Sequence, residues 1–312
     1  MKKFVLLFAA VLFATFAMAQ SKDNESDVTV SGGSDDNTVI VNQNLDGDDH
    51  NSSDVSIMYD SDDNEVNINQ KGEDLESSVL IEVESYDNEV NVNQEDEGSE
   101  SSVYIGYYTL ENEVNVDQEG EDQESTVEIG GVAGFNLVNV EQEGEGNDSY
   151  VGVGVFAGEN EVNVSQDGEE NDSYVEVGYG AEGNLVNVTQ EGEENDSYVG
   201  VGYDANNNSV TVEQDGEENE SSVAISDEAS GNEVEVYQDG EDLDSDVEIG
   251  NESYGNDVDV YQDGENHESD VLIYGNSSGN EVEVSQDGNY STSDVEVTYG
   301  SDGNVIDVMQ KK

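Results

Sequence analysis

Valine and isoleucine alternate with polar residues along almost the whole chain, in short runs with the period of a β-strand. The stretch from Asn232 to Gly250 reads NEVEVYQDGEDLDSDVEIG, and its two alternating runs flank a segment that contains glycine. Successive side chains of a strand point to opposite faces, so each run predicts one apolar face and one acidic face. The pattern therefore predicts an all-β protein whose acidic residues face water.

The first of these runs recurs at a fixed interval. The motif N-x-[VI]-x-[VI]-x-Q begins at Asn37 and Asn64, and from Asn64 to Asn304 it returns every 24 residues. A second run, S-x-V-x-[VI], follows each first run, as in Ser245–Ile249. An up-and-down antiparallel sheet needs no fixed period, whereas a solenoid does, because each coil must stack in register on the previous one. We therefore predict a β-solenoid of about twelve two-strand coils with amyloid-like stacking at about 4.8 Å.

Two polar residues share the predicted inner face with the valines. Alternation places Asn232, Val234, Val236 and Gln238 on one face, with Ser245–Ile249 supplying the facing set. Stacked identical amides can hydrogen-bond from coil to coil, so we expect structural ladders of asparagine and glutamine. The predicted ladder residues are Asn160, Gln166, Asn184, Gln190, Asn208, Gln214, Asn232, Gln238, Asn256, Gln262, Asn280 and Gln286.

A glycine follows most ladder glutamines by two residues, which suits a turn with positive φ or a close backbone approach. The absence of proline agrees with a chain of mostly paired strands, because proline removes a ladder donor. The predicted turn glycines are Gly120, Gly144, Gly168, Gly192, Gly216, Gly240, Gly264 and Gly288.

The composition is extremely acidic, with 78 Asp and Glu against 6 Lys and Arg and a net charge of −72. Such a chain would ordinarily be disordered, but the β alternation argues against disorder here. Nucleic acid is excluded as an expected partner because like charges repel and no basic patch exists. The lack of cysteine excludes disulfides and thiolate metal sites. We expect no cofactor, with diffuse Ca²⁺ or Na⁺ screening of the carboxylates as the open question.

The first residues have the composition of a Sec-type signal peptide: two lysines, an apolar run over residues 4–16 and the small-residue signal Ala-Met-Ala. A membrane anchor is the alternative, but the apolar run is short for a span. We expect a secreted protein without a membrane span. The expected division is a signal peptide over 1–19, a short segment over 20–25, the repeat solenoid over 26–310 and a basic tail over 311–312.

The repeat region opens with a second-type strand, Ser26–Val30, and closes with a first-type strand, Asn304–Gln310. The last half-coil of one molecule is therefore expected to be completed by the first half-coil of the next. Such an open head-to-tail contact produces filaments rather than closed rings. We expect a homopolymeric fibre.

The repeat resembles the curlin repeat, the unit of the curli amyloid subunits, whose pattern is S-x5-Q-x-G-x2-N-x-A-x3-Q. In this chain Asn160 stands at the initial serine, Gln166 and Gly168 match the first Gln-x-Gly, and Ser173 and Val177 stand at the alanine and the second glutamine. The mid-repeat asparagine matches at Asn147, Asn171, Asn195 and Asn219.

The resemblance implies an extracellular functional amyloid for adhesion in a bacterial biofilm matrix. It also implies export through a dedicated outer-membrane channel and assembly with a nucleator. A major fibre subunit and a nucleator share these sequence features.

No catalytic constellation is found, so we expect no enzyme. His50 and His267 lie in polar segments and are expected to be solvated. The residue after each ladder glutamine forms an acidic column from Glu95 to Asp287, in which Lys71 is expected to be the only cation. The alternative function is a soluble acidic repeat protein that binds Ca²⁺ or templates mineral at the cell surface, although no EF-hand or glycine–aspartate nonapeptide pattern occurs.

Overall fold

The computed structural model describes residues 24–44 and 50–311. The predicted signal peptide lies outside the described residues, as do most of the segment 20–25 and Lys312 of the basic tail. Within the described ranges every regular element is a β-strand. These ranges contain no helix with the length and apolar character needed to cross a membrane.

The strands form two parallel sheets of 12 strands each. Consecutive strands of the chain alternate between the sheets, so each strand pairs with the next but one in sequence. Sheet A consists of β2 (Thr38–Asn44), β4 (Glu65–Glu73), β6 (Glu89–Glu97), β8 (Glu113–Glu121), β10 (Leu137–Glu145), β12 (Glu161–Glu169), β14 (Leu185–Glu193), β16 (Ser209–Glu217), β18 (Glu233–Glu241), β20 (Asp257–Glu265), β22 (Glu281–Asn289) and β24 (Val305–Lys311).

Sheet B consists of β1 (Glu25–Ser31), β3 (Ser52–Met58), β5 (Glu76–Ile81), β7 (Glu100–Ile105), β9 (Glu124–Ile129), β11 (Asp148–Val153), β13 (Asp172–Val177), β15 (Asp196–Val201), β17 (Glu220–Ile225), β19 (Asp244–Ile249), β21 (Glu268–Tyr274) and β23 (Thr292–Thr298).

One coil consists of a sheet A strand, a first arc, a sheet B strand and a second arc. The register stacks equivalent residues directly on one another; Val234 of β18 lies opposite Val258 of β20, and Gln238 lies opposite Gln262. The predicted β-solenoid of about 12 turns with a repeat of roughly 24 residues is confirmed. The parallel pairing excludes the up-and-down antiparallel alternative.

The core is the thin apolar seam between the two sheets. In β18 burial alternates as the sequence predicts, with Val234 and Val236 buried and Glu233 and Glu235 exposed. Burial of these branched side chains from both sheets supplies the apolar contribution to stability. The core also contains a set of second-arc alanines that strand periodicity does not predict: Ala133, Ala157, Ala181, Ala205 and Ala229.

The glycines of the first arc lie inside the sheet A strands rather than at the turn. Gly168 has a φ of 137°, and β12 continues past it to Glu169. The left-handed turn residue is Glu170, with a φ of 55°. A Cβ atom on Gly168 would overlap the carbonyl oxygen of Gly192 in the next coil. Glycine is therefore required here both by its φ and by the close approach of the coils.

Candidate functional site

The asparagines at the start of each sheet A run form a buried hydrogen-bond ladder. The Oδ1 atom of Asn184 accepts bonds from the backbone N–H and the Nδ2 of Asn208, both at 3.0 Å. Its Nδ2 donates to Oδ1 of Asn160 and to the carbonyl of Ala205, both at 2.9 Å. Each amide thus joins its own coil to the coils on both sides. Side-chain contacts of the same kind link Asn160, Asn184, Asn208, Asn232, Asn256 and Asn280 in sequence.

The glutamines at the other end of the seam form a second ladder. The Nε2 of Gln214 donates to Oε1 of Gln238 at 2.9 Å and to the carbonyls of Asp196 and Asn219 at 3.0 Å. Its Oε1 accepts a 3.0 Å bond from Nε2 of Gln190. Gln166, Gln190, Gln214, Gln238, Gln262 and Gln286 are joined in this way. Because a buried amide without partners would be costly, the two ladders require the same residue in every coil.

A third ladder runs along the first arc, and strand periodicity does not predict it. Asn171 donates its Nδ2 to Oδ1 of Asn147 at 3.0 Å and to the carbonyl of Gly192 at 3.1 Å, and it is fully buried. Asn195 and Asn219 continue the ladder. The recurrence of asparagine at this position was the available signal, but a residue in an arc has no alternation that reveals its direction.

His267 occupies the same column, and the expectation that it is solvated is wrong. Its side chain is 1% exposed. Its Nε2 lies 3.1 Å from the carbonyl of Asp263, and its Nδ1 accepts a 3.2 Å bond from the backbone N–H of Ser291. Asn147 makes the corresponding contacts, with the carbonyl of Glu143 and the N–H of Asn171. The imidazole therefore makes the contacts of a ladder asparagine, although the neighbouring positions of the column are Leu243 and Ser291. His50 is exposed.

The acidic column after the ladder glutamines faces solvent, but Lys71 is not its only cation. Lys71 Nζ contacts Oε2 of Glu95 at 2.8 Å, and Lys311 lies in register with Asp287, with Nζ 3.7 Å from Oδ2. The expectation overlooked Lys311 because residues 311–312 were assigned to a basic tail outside the repeat. Between these lysines the carboxylates stack without cations, and burial, Asp215 and Asp263 raise the pKa of Asp239.

Four segments of the solenoid match a known family of repeats. The family model described as the Curlin associated repeat matches residues 136–168, 181–216, 205–240 and 255–288. The first match begins at a ladder asparagine, and all four end at a first-arc glycine. The chain contains curlin repeats. The predicted resemblance is thereby confirmed, and the matched segments contain both predicted ladders. No curated protein sequence matches the chain.

The outer faces of this curlin-repeat protein concentrate negative charge. Burial is the main cause that raises the pKa of Asp259 to about 6, with Asp257 and Glu235 adding repulsion. Burial also raises the pKa values of Asp148 and Asp172. Repulsion from stacked carboxylates adds to both shifts, from Glu124 for Asp148 and from Asp196 for Asp172. A proton or a cation therefore relieves repulsion at these positions.

The carboxylates of the described coils are arranged in columns that follow the stacking of the strands. Among residues 24–44 and 50–311, no cluster of three or more His, Cys, Asp or Glu side chains has an arrangement that could hold a metal ion. Columns of this kind attract counterions along their whole length, as other linear arrays of charge do.

Outward tyrosines also stack from coil to coil in the curlin-repeat protein. The rings of Tyr150 and Tyr174 are 4.7 Å apart, those of Tyr174 and Tyr198 are 5.3 Å apart, and both pairs are nearly parallel. Burial and a hydrogen bond to Glu128 raise the pKa of Tyr150 to about 12. The stacked rings reinforce the register of sheet B.

Proposed function

We propose that this curlin-repeat protein is a secreted, non-enzymatic structural subunit of curli-like extracellular fibres, which serve adhesion and the biofilm matrix of a bacterium. The observation that carries the proposal is the repetition of one contact surface. Every inner coil offers its neighbour the same backbone ladder and the same stacked Asn and Gln amides. A contact that forms between coils of one chain is chemically equivalent to a contact between two chains, so each coil is a template for the next.

The edge strands of the described fold support this role. β1 and β2 at one edge, and β23 and β24 at the other, pair on one side only within the described residues. Asn304 of the last coil is exposed, whereas Asn280 of the preceding coil is 1% exposed. Unpaired parallel edges of this kind promote addition of further strands.

The charged column is also compatible with stacking of β24 on β2 of another copy. Such a junction would place Lys311 next to Asn44, followed by Lys71. Two carboxylates would therefore not be adjacent across this junction in the column. Elsewhere along the fibre, we propose that diffuse Na⁺ or Ca²⁺ screening makes assembly depend on salt.

The partners of the fibre follow from the family and from the predicted signal peptide. Self-assembly is what the curlin repeat implies, and the coil contacts support it. Export through an outer-membrane channel and growth from a nucleator rest on the family resemblance. The predicted Sec-type signal peptide supports the first step of that export.

The fibre proposal is tested with the chain from residue 20 onwards, purified and incubated at increasing NaCl and at decreasing pH. We expect filaments in electron micrographs, a diffraction spacing of about 4.8 Å along the fibre axis and faster growth as salt increases. Ile306→Glu, at an inward position of β24, should slow seeded growth, whereas Val305→Glu, on the outer face of the same strand, should not. A chain that stays monomeric under all these conditions contradicts the proposal.

A further inference from the structure

An aromatic region with few acidic residues lies along the second arcs. Over the six equivalent positions of the second arc, segment 82–87 contains three acidic residues, Glu82, Glu84 and Asp87, whereas 130–135 contains none and 106–111, 154–159 and 178–183 contain one each. We define the apolar patch by its exposed side chains, which are between 37% and 52% accessible. They are Tyr107, Tyr108, Leu110, Val132, Phe135, Phe156, Tyr179 and Tyr203.

The fold brings these side chains together on one edge of the solenoid. Backbone bridges stack the second arcs in register, from Leu110 to Gly134 and onwards to Gly158. The ring centroids of Phe156 and Tyr179 are 5.2 Å apart, and those of Tyr179 and Tyr203 are 5.1 Å apart. The patch therefore extends over five coils, roughly 20 Å at the spacing of stacked strands. It exposes roughly 700 Å² if each side chain presents about 200 Å² when fully open.

The backbone conformation shows that bulky residues are unfavourable at these positions. Tyr108, Val132, Phe135 and Phe156 have φ values of 59°, 61°, 60° and 61°. A left-handed conformation is an outlier for a β-branched or aromatic residue, and it suits glycine or asparagine much better. Other coils do place such residues there: Gly180, Asn276 and Gly300 at the position of Phe156, and Asn207 and Gly231 at the position of Phe135. Strained residues that persist without a structural need point to a function.

We propose that the apolar patch is a lateral contact between two copies of this chain, through which filaments pair side by side. The inference rests on the proposed fibre assembly. The distribution of charge indicates which partner the patch binds. A basic partner would bind most strongly at the carboxylate columns, which line the first arcs from Glu73 to Glu265 and the edge of sheet B from Glu76 to Glu268. A second polyanionic copy can approach closely only where those charges are missing.

The size of the patch agrees with a contact that works only in an assembly. Two patches in contact would bury at most roughly 1,400 Å², at the lower end of stable interfaces, while Glu111, Glu159 and Glu182 repel at its border. Along a filament of stacked subunits the patch recurs once per subunit on the same edge. Many weak contacts then act together, so paired filaments are stable although paired monomers are not. Because the Debye length is about 10 Å at 0.1 M salt, pairing should need moderate salt.

The test uses a variant that only changes residues to those the fold already accepts. Phe135→Glu and Phe156→Glu, combined, reproduce Glu159 and Glu228, which have φ values of 55° and 58° at the equivalent positions. Phe135→Asn with Phe156→Asn removes the apolar surface without adding charge. The control is Tyr237→Ser with Tyr261→Ser, which removes stacked aromatic rings from the outer face of sheet A, outside the patch.

Filament width is measured by electron microscopy at about 0.15 M NaCl, alongside the rate of seeded growth and the urea midpoint of each variant. We expect wild type and control to form bundles, both patch variants to form filaments at least about two-fold narrower, and growth rates to be unchanged. The lateral contact is refuted if the patch variants bundle like wild type, or if wild-type filaments stay single at every salt concentration. Either result leaves the fibre proposal standing. If single wild-type filaments instead bind neutral phospholipid vesicles through the patch, a lipid surface is the occupant and the proposal is wrong. A wild type that forms no filaments refutes the fibre proposal itself.

Discussion

Gln214 lies in the middle of the glutamine ladder and is fully buried. Gln214→Leu removes the amide and leaves an aliphatic side chain of similar volume that is one bond shorter. The substitution eliminates four hydrogen bonds, three donated by Nε2 and one accepted by Oε1. The substitution therefore measures how much one amide of the ladder contributes to the stability of the solenoid.

The magnitude follows from the partners that remain. Oε1 of Gln238 loses the bond from Gln214, and a buried acceptor without a donor costs about 1–3 kcal/mol. The three other bonds contribute about 0.5–1.5 kcal/mol each, although Nε2 of Gln190 keeps its bonds to the carbonyls of Asp172 and Asn195. The added apolar contact of leucine returns about 1 kcal/mol. We expect the free energy of unfolding to fall by about 3 kcal/mol.

The assay is urea unfolding followed by circular dichroism, at low salt and low protein concentration so that the chains remain unassembled. Urea is preferred to guanidinium because it carries no charge and leaves the carboxylate columns unscreened. Two substitutions serve as controls. Glu213→Leu changes the exposed neighbour in β16. Gln310→Leu changes the ladder position of β24, which is paired on one side only among the described residues, and removes two hydrogen bonds.

We expect Glu213→Leu to change stability little and Gln310→Leu to cost less than half as much as Gln214→Leu, because Gln310 is only partly buried. Equal losses for the two glutamine substitutions would show that the ladder position does not matter. A Gln214→Leu chain as stable as wild type would refute the argument that the buried amides hold the coils in register.

Three further predictions use the same unfolding measurement. Asp259 has its pKa raised to about 6, mainly by burial, against about 3.9 in an unfolded chain, so the folded state binds this proton more tightly. The urea midpoint should therefore rise as pH falls from about 6 to about 4, and Asp259→Asn should weaken that rise; an unchanged pH profile contradicts the assignment. His267→Asn should preserve stability because an asparagine can make the same two backbone contacts, as Asn147 does, whereas His267→Ala should cost about 1–3 kcal/mol; a loss in the asparagine variant would disprove this equivalence. Gly231→Ala, whose Cβ would meet no atom within 4 Å, should cost about 1 kcal/mol for its positive φ. Gly192→Ala should cost more than twice as much because its Cβ would overlap the backbone of Gly216, and similar losses at both glycines would be evidence against that contact.

Strand alternation and the fixed repeat were sufficient to predict the solenoid and the direction of its strand residues. A strand has a period of two, so Val234, Val236 and Gln238 had to share one face once Glu233 and Glu235 faced water. The constant spacing then required Gln238 to lie above Gln214 and below Gln262. These inferences needed no knowledge of the arcs.

Only the tertiary structure decided what happens in the arcs and between distant ends of a column. Arc residues such as His267 and Asn171 have no periodicity, and their burial depends on left-handed turn residues that direct them inward. The repeat alone also did not show that Tyr179 packs against Phe156 to continue an apolar edge, or that burial raises the pKa of Asp259. The alternation of a strand is a local property of the chain, whereas the packing of an arc and the charge around a carboxylate depend on the coils above and below it.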